Sequence, residues 1–344
     1  MILILGIFFL VVLSDFLFVD AADDSNHTDA LRCKFELETI LFAHETKDCP
    51  NAYGDVSQRF VLEKLKISKR CSDNPRLHII DVGGLFGDFG LFTGSQRCKT
   101  TIYEPQPYYA HLISISAALN PSFSSFVEVR NAGVSEVKQL RIQESGRDRH
   151  NRKKNPGLTL VMPFSPGGNA AKDAAALAAK FEDKIAINRL DSRDDSLVVV
   201  PGEALDQQHA GQDILLLKID VEGHEGAVIE TAKKLFQEKR IKNLIFEFTP
   251  NQFANRGTNY KTILDDMYEK YSATNCFALH QNRRVMYKLN RADNSAFHKY
   301  MYAERFQLDI FCSFESKAEV DLMFKNVPEW ADPKTTKTNK NVMW

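Results

Sequence analysis

The stretch Leu77-His78-Ile79-Ile80-Asp81-Val82-Gly83-Gly84-Leu85-Phe86-Gly87-Asp88-Phe89-Gly90 decides how this chain folds. A short apolar run enters a glycine-rich turn, the pattern of a parallel strand buried on both faces. Glycines at 83, 84 and 87 suit a backbone that must take positive φ and approach a ligand closely. An apolar helix start follows, and its first N–H groups have no partner within the helix. The acid Asp81 stands at the strand end, which suits a ligand carrying an amino group. The plain alternative is a glycine turn kept for structural reasons alone.

The same texture recurs outward from this stretch. Thr100 to Tyr103, Phe126 to Val129, Ile214 to Ile219 and Asn243 to Phe248 read as further strands. Tyr108 to Leu119 and Glu225 to Lys239 read as helices between them. Alternating strands and helices predict an α/β fold with a doubly wound, mostly parallel sheet and helices on both faces. Upstream, Leu37 to His44 and Phe60 to Ile67 show helical patterns. They fall in an N-terminal extension, residues 23–74, expected to pack on the main domain of residues 75–325.

Two more strand ends carry polar residues. Tyr103-Glu104-Pro105-Gln106-Pro107 lies about twenty residues beyond Asp81, where an acid can accept hydrogen bonds from both hydroxyls of a ribose. Glu104 as a helix-capping acid before a proline-opened helix is the competing account. Leu215-Leu216-Leu217-Lys218-Ile219-Asp220-Val221-Glu222-Gly223-His224-Glu225 ends an apolar strand in three carboxylates and an imidazole. Ligands of open parallel sheets bind beyond such strand ends. Lys218 is out of place in a core strand and is expected to pair with a carboxylate. Glu247 closes the next strand.

In this order and spacing, the three stretches resemble the FkbM family of S-adenosylmethionine (SAM)-dependent methyltransferases. The resemblance runs from about Leu77 to Phe248, and Lys218-Ile219-Asp220-Val221-Glu222-Gly223 with Glu225 is its most specific part. It implies a seven-stranded Rossmann-like sheet, SAM as methyl donor, and O-methylation of a sugar or another hydroxyl-bearing small molecule. Carried over by position, it implies that Asp81, Gly83 and Gly87 cradle the methionine end of SAM and that Glu104 holds the ribose. Asn131 and Ala132 would lie near the adenine, and Asp220, Glu222 and His224 would face the methyl group and the acceptor. The pair Leu205-Asp206 lacks the threonine that often precedes it in the family.

A sugar hydroxyl is a weak nucleophile, so a general base within hydrogen-bond reach helps transfer. His224 is the first candidate because a histidine ordinarily titrates near neutrality; Asp220 and Glu222 are the alternatives. No cysteine pair has zinc-ligand spacing, so no metal is expected. A divalent cation on Asp220, Glu222 and Glu247 is the competing account of the acids. Two other functions compete: a lumenal interaction protein that keeps the fold without turnover, and a nicotinamide-dependent oxidoreductase. The second is disfavoured by a turn that does not fit the glycine pattern for a pyrophosphate.

The 344 residues carry a formal net charge of −1, with 44% hydrophobic and 26% charged residues. Such a balance gives no overall field toward nucleic acid or an anionic membrane. Ile2 to Leu13 is an unbroken apolar run, resumed from Phe16 to Val19 and followed by Ala21, which reads as a signal peptide over residues 1–22. The rival is an uncleaved anchor, in which Asp15 would cost about 2.5–3.5 kcal/mol at the bilayer centre. Asn26-His27-Thr28 is a glycosylation sequon. Six cysteines in an oxidising compartment suggest disulfides. Position suggests Cys33 with Cys49 and Cys276 with Cys312, with buried free thiols at Cys98 and Cys312 as the alternative. Residues 145–185 read as an insertion between the third and fourth strands. Its basic run Arg147 to Lys154 is either a solvated loop or a docking strip for an acidic glycan. Residues 326–344 read as a disordered tail.

Overall fold

The computed structural model describes residues 31–35, 38–42, 56–143, 160–163, 197–255, 259–280 and 283–332. The signal segment, the sequon, the basic run, the alanine-rich stretch after it and most of the C-terminal tail lie outside the described residues, as do the side chains of Cys33 and Cys49.

The strands are β1 (Leu31–Phe35), β2 (Glu38–Phe42), β3 (Leu77–Val82), β4 (Lys99–Tyr103), β5 (Val127–Arg130), β6 (Gly133–Val134), β7 (Gln139–Gln143), β8 (Leu160–Pro163), β9 (Leu197–Glu203), β10 (Asp213–Ile219), β11 (Asn243–Phe248), β12 (Asn275–Leu279), β13 (Met286–Leu289) and β14 (Leu308–Ser313). The main sheet runs β13-β12-β14-β11-β10-β3-β4-β5. It has eight strands, one more than the seven expected. The five from β5 to β11 are parallel, and β14, β12 and β13 extend the sheet in antiparallel pairings.

Every residue of β11 is buried, as is all of β10 after Asp213. Strands covered on both faces read as continuous apolar runs, which is why these were visible in the sequence. One face packs Ile80, Leu217, Ile219 and Phe246 under the helices Glu225–Thr231, Lys233–Gln237 and Asn294–Glu304. The other packs Ile79, Leu216, Ile245 and Phe311 under Val56–Lys64, Ile67–Asp73, Asp88–Ser95 and Lys317–Met323. The sheet is doubly wound.

Two further expectations are corrected. Leu37 to His44 is not helical: Glu38–Phe42 is a strand paired antiparallel to β1, with Ile40 buried against Leu91, Ile102 and Ile113. A five-residue apolar segment has no length to separate the two periodicities, and the hairpin partner decides. Glu225 to Lys239 is two helices, Glu225–Thr231 and Lys233–Gln237, rather than one. The segment between β5 and β10 builds a second sheet, ordered β6-β9-β7-β8.

Cys276 and Cys312 face each other across β12 and β14 and form the disulfide suggested by position. Cys98 bonds to Cys71, so neither Cys98 nor Cys312 is a free thiol. The Cys71–Cys98 bond ties the Ile67–Asp73 helix to the entry of β4 across a sequence separation of 27. A loop of that size is worth about 3–4 kcal/mol in chain entropy. The double substitution Cys71→Ala with Cys98→Ala is expected to lower unfolding free energy by about that amount in a chemical denaturation titration.

Candidate active site

The C-terminal ends of β3, β4, β10 and β11 meet at one edge of the sheet. The turn after β3 is held to β4 by two N–H groups, Gly83 and Gly84, which both donate to the Tyr103 carbonyl at 2.9 and 3.0 Å. Gly83 has φ +83°, and a Cβ there would stand 1.9 Å from the Asp220 carbonyl oxygen. Only glycine lets the β3 and β10 turns press together this closely. Glu104 then clamps the turn from the far side. Its carboxylate accepts from the Leu85 N–H and from the Gln106 N–H, each at 2.8 Å. Burial pushes this carboxyl up to about 7, against the pull of those two N–H groups.

Strand register sets the charges. Lys218 lies opposite Asp81, and both are buried. The Lys218 ammonium sits 3.3 Å from Asp81 Oδ1 and 3.5 Å from Asp220 Oδ2, so one buried cation serves two strands. Burial pushes Asp81 up to about 6, with Lys218 pulling the other way. Burial also opposes the charge on Lys218, but Asp81 and Asp220 outweigh it and hold the ammonium above its usual range. Side chains alternate along strands. The rows that pair Ile102, Asp81, Lys218 and Ile245 therefore place Glu104, Gly83, Asp220 and Glu247 in the next row on the same face. Asp309 of β14 completes this row opposite Glu247.

Beyond β10, Glu222 (φ +53°) and Gly223 (φ +98°) make a sharp turn. Glu225 stabilises it from within: its Oε1 accepts from the Val221 and Gly223 N–H groups at 3.0 and 3.2 Å. Burial pushes the Glu225 carboxyl up to about 8. The Gln252 amide, from the helix Pro250–Asn255, donates to Glu222 Oε2 at 3.0 Å. Glu247 accepts from the Gln307 amide. Burial first, then the charges of Asp220, Glu225, Glu222 and Asp309, push Glu247 up to about 10. His224 stands half-buried at the start of the helix Glu225–Thr231.

The carboxylates thus fall into one connected set: Asp81 and Asp220 flank Lys218, and Asp220 in turn lies near Glu225 and Glu247, with Glu222 beside Glu247. Glu104 lies across the glycine turn. Asn131 joins it, its amide donating to the Glu104 and Pro105 carbonyls at 3.0 Å each. Ala132 is buried in the core beside it. Gly87, with φ +77°, opens the helix Asp88–Ser95 and packs on Ile113. Asp206 lies outside this set: its carboxylate caps the helix Lys233–Gln237 by accepting from Lys234 and Leu235. Gln252, Gln307, Asp309 and Gln58 were not among the residues expected here. Gln58, from the helix Val56–Lys64, donates to Asp309 Oδ2 at 2.5 Å. Gln58, Gln307 and Asp309 come from segments remote in the chain from the acid-rich turn, and Gln252 lies on the helix that follows β11.

The residues fit SAM at the Glu104 end. A carboxylate offers about four lone-pair positions, and Glu104 uses two of them on backbone N–H groups and a third on the Gln106 side chain. Asp81, as buried as Glu104, is different in being already paired with Lys218. Among the described residues, no group of three or more His, Cys, Asp or Glu side chains is arranged to hold a metal ion.

Glu225 gives a signed test. Its carboxyl rises from an ordinary 4.5 to about 8 on folding. The neutral form is therefore the stabilised one, and its contribution is whole below about pH 4.5 and is lost as pH rises through 8. Glu225→Gln keeps an acceptor for Val221 and Gly223 and removes the titration. The slope of melting temperature against pH between 5 and 8 is expected to flatten in this variant.

A family model described as the methyltransferase FkbM domain matches residues 81–276, more than half of the chain. No curated protein matches. Among solved structures, the chain is similar to a crystal structure of monomeric WbdD, at 15% identity and a TM-score of 0.27, covering 56% of this chain and 31% of that one. A second similar structure, a 2.2 Å crystal structure of WbdD, gives 12% identity and a TM-score of 0.35, covering 76% and 40%. A third, described as the bifunctional kinase-methyltransferase WbdD, gives 13% identity and a TM-score of 0.35 with the same coverage. The chain spans less than half the length of these solved chains. With its family model covering both the glycine turn and the acid-rich turn, the chain belongs to the FkbM methyltransferase family.

Proposed function

We propose that this chain is a SAM-dependent methyltransferase of the secretory pathway that methylates a hydroxyl of a sugar or another hydroxyl-bearing acceptor. The observation that carries the reading is the single edge at which Glu104, the glycine turn and the acid-rich turn after β10 meet. Bound SAM would supply an electrophilic methyl group on a sulfonium. The lone-pair position that Leu85 and Gln106 leave on Glu104 suits a ribose hydroxyl. Asn131 and the backbone at Ala132 extend the same wall toward the adenine. Gly83 and Gly87 let the turn take its positive φ and pack on Asp220 and Ile113, and this turn would cradle the methionine end. Asp81 works one step back, holding Lys218 and through it Asp220.

The chain's task in the chemistry is to hold an acceptor oxygen in line with the methyl carbon and to take its proton. Positioning of this kind is a large share of methyl-transfer catalysis. His224 receives the proton, with Asp220 and Glu222 as the other bases in reach of the same space. The two disulfides, Cys71–Cys98 and Cys276–Cys312, support an oxidising compartment. No helix among the described residues is long and apolar enough to cross a membrane.

Isothermal calorimetry of the oxidised protein with SAM and S-adenosylhomocysteine tests the reading. Micromolar binding is expected, weakened about 10-fold or more in Glu104→Ala, which removes a charge-assisted hydrogen bond to the ribose. A folded, oxidised protein that binds neither compound would leave a non-enzymatic interaction protein as the better account.

A further inference from the structure

The residues behind the glycine turn and Glu104 form a polar joint that the methyl-transfer reading does not use. Tyr103 closes β4: its carbonyl takes the Gly83 and Gly84 N–H groups, and its hydroxyl lies 3.0 Å from His209 Nε2. Arg130 closes β5 in the same way. Its carbonyl accepts from the Glu104 N–H at 3.1 Å, while its guanidinium reaches Glu203 Oε2 at 2.9 Å and Gln208 Oε1 at 2.7 Å. Glu203 ends β9 and Gln208 ends the short helix Leu205–Gln208, with His209 next in the chain. Two residues whose backbones build the candidate cofactor end are thus anchored by their side chains to one segment, Glu203 to His209.

At the centre of the joint two imidazoles meet. The His78 ring, from β3, packs edge-on to His209 with centroids 5.3 Å apart, and His209 is 1% exposed. The hydrogen bonds fix where the protons lie. Gln212 Oε1 accepts at 3.0 Å from His209 Nδ1, which leaves Nε2 as the acceptor for the Tyr103 hydroxyl. Thr101 directs its hydroxyl proton to Glu128 Oε2 at 3.3 Å, and so accepts at 2.8 Å from His78 Nε2. His209 is therefore neutral while the joint is intact. A proton added to it lands on Nε2 and takes away the acceptor of the Tyr103 hydroxyl. Among the described residues around the pair, Arg130 and Lys99 share the sign of an added proton, and Glu128 and Glu203 are already engaged by Arg130. Burial first, then His209, hold His78 down at about 4, with Lys99 and Arg130 adding to them and Glu128 opposing. Burial also lowers His209, with Arg130, against Gln212, Glu128 and Glu203.

A histidine held below its ordinary 6.5 contributes stability that is whole above about pH 6.5 and is lost as pH falls toward its folded value. We propose that His209 is a positioning residue of the cofactor end, and that its pairing with His78 makes this end acid-sensitive: an S-adenosyl ligand is held at neutral pH and released as the two imidazoles take up protons. This rests on the reading of Glu104 and the glycine turn as the SAM site. Protonation removes the Tyr103 anchor and sets like charge beside the Arg130 anchor. The two strand ends then no longer hold the glycine turn and Glu104 in place.

Calorimetric titration of the oxidised full chain with S-adenosylhomocysteine between pH 7 and pH 4, with the melting temperature taken at each pH, tests the proposal. Glu104 titrates over the same range, so the wild type is compared with His209→Gln, which offers the Tyr103 hydroxyl an acceptor and takes up no proton. At pH 7 this variant is expected to bind within about threefold of the wild type, one acceptor having replaced another. Toward pH 4 the wild type is expected to weaken about tenfold more than the variant, and its melting temperature to fall further. His209→Leu, which leaves Tyr103 without an acceptor, is expected to bind about tenfold more weakly at pH 7, the worth of one hydrogen bond. Nitrogen-15 NMR of the wild-type imidazoles is expected to show His209 neutral at pH 6 with its hydrogen on Nδ1. A His209 charged at pH 6 would overturn the proposal. So would affinities and melting temperatures with the same pH dependence in the wild type and His209→Gln. Acid loss of melting temperature that His209→Gln abolishes, with no S-adenosylhomocysteine bound at any pH, keeps the acid-sensitive joint and removes the cofactor reading. S-adenosylhomocysteine binding that weakens alike in both proteins does the reverse.

Discussion

The buried ammonium of Lys218 is the constraint on which the active edge depends. Taking a cation out of water costs several kcal/mol, and only well-placed opposite charges offset it. Asp81 on β3 and Asp220 at the end of β10 supply them, at 3.3 and 3.5 Å. The pairing binds two central parallel strands at their C-terminal ends. A slip of one residue would send Lys218 to the opposite face and leave Asp81 buried without a cation. The lysine therefore sets register as well as charge, and both turns inherit their positions from it.

From that anchor a single row of side chains crosses the sheet: Glu104, the empty place at Gly83, Asp220, Glu247 and Asp309. The gap at Gly83 separates the row into two functions. On one side Glu104 and Asn131 hold the glycine turn from the β4 and β5 ends. On the other a dense set of carboxyls is kept partly neutral by burial and by mutual repulsion. Paired titratable groups whose environments push them apart are a recurrent feature of catalytic sites. Here they are divided between framework and site: Glu225 braces its own turn through Oε1 and leaves Oε2 unused.

The parts outside the family-matched segment shape this edge. Gln58 reaches Asp309 from the N-terminal helix, and Gln307 reaches Glu247 from the approach to β14. The disulfides reinforce the same regions, one at the entry of β4 and one across β12 and β14. The helix carrying Gln58 and the strand β14 thus complete a polar row begun by the domain itself.

The sequence by itself determined the strand and turn positions and the acids that close them. Fully buried parallel strands must be apolar along their whole length, and glycine is the one residue that lets the β3 turn meet the Asp220 carbonyl. Those requirements are local and leave local marks at Leu77 to Gly90, Glu104 and Lys218 to Glu225. The tertiary structure decided what no neighbourhood in the chain records. It made Glu38–Phe42 a strand by giving it a hairpin partner, and it paired Cys71 with Cys98. It added an eighth strand to the main sheet and brought Gln58, Gln252, Gln307 and Asp309 to the carboxylates. Whether two imidazoles meet depends on atoms from distant segments. The pairing of His78 with His209 became visible only once β3, β4 and the helix before His209 were in place.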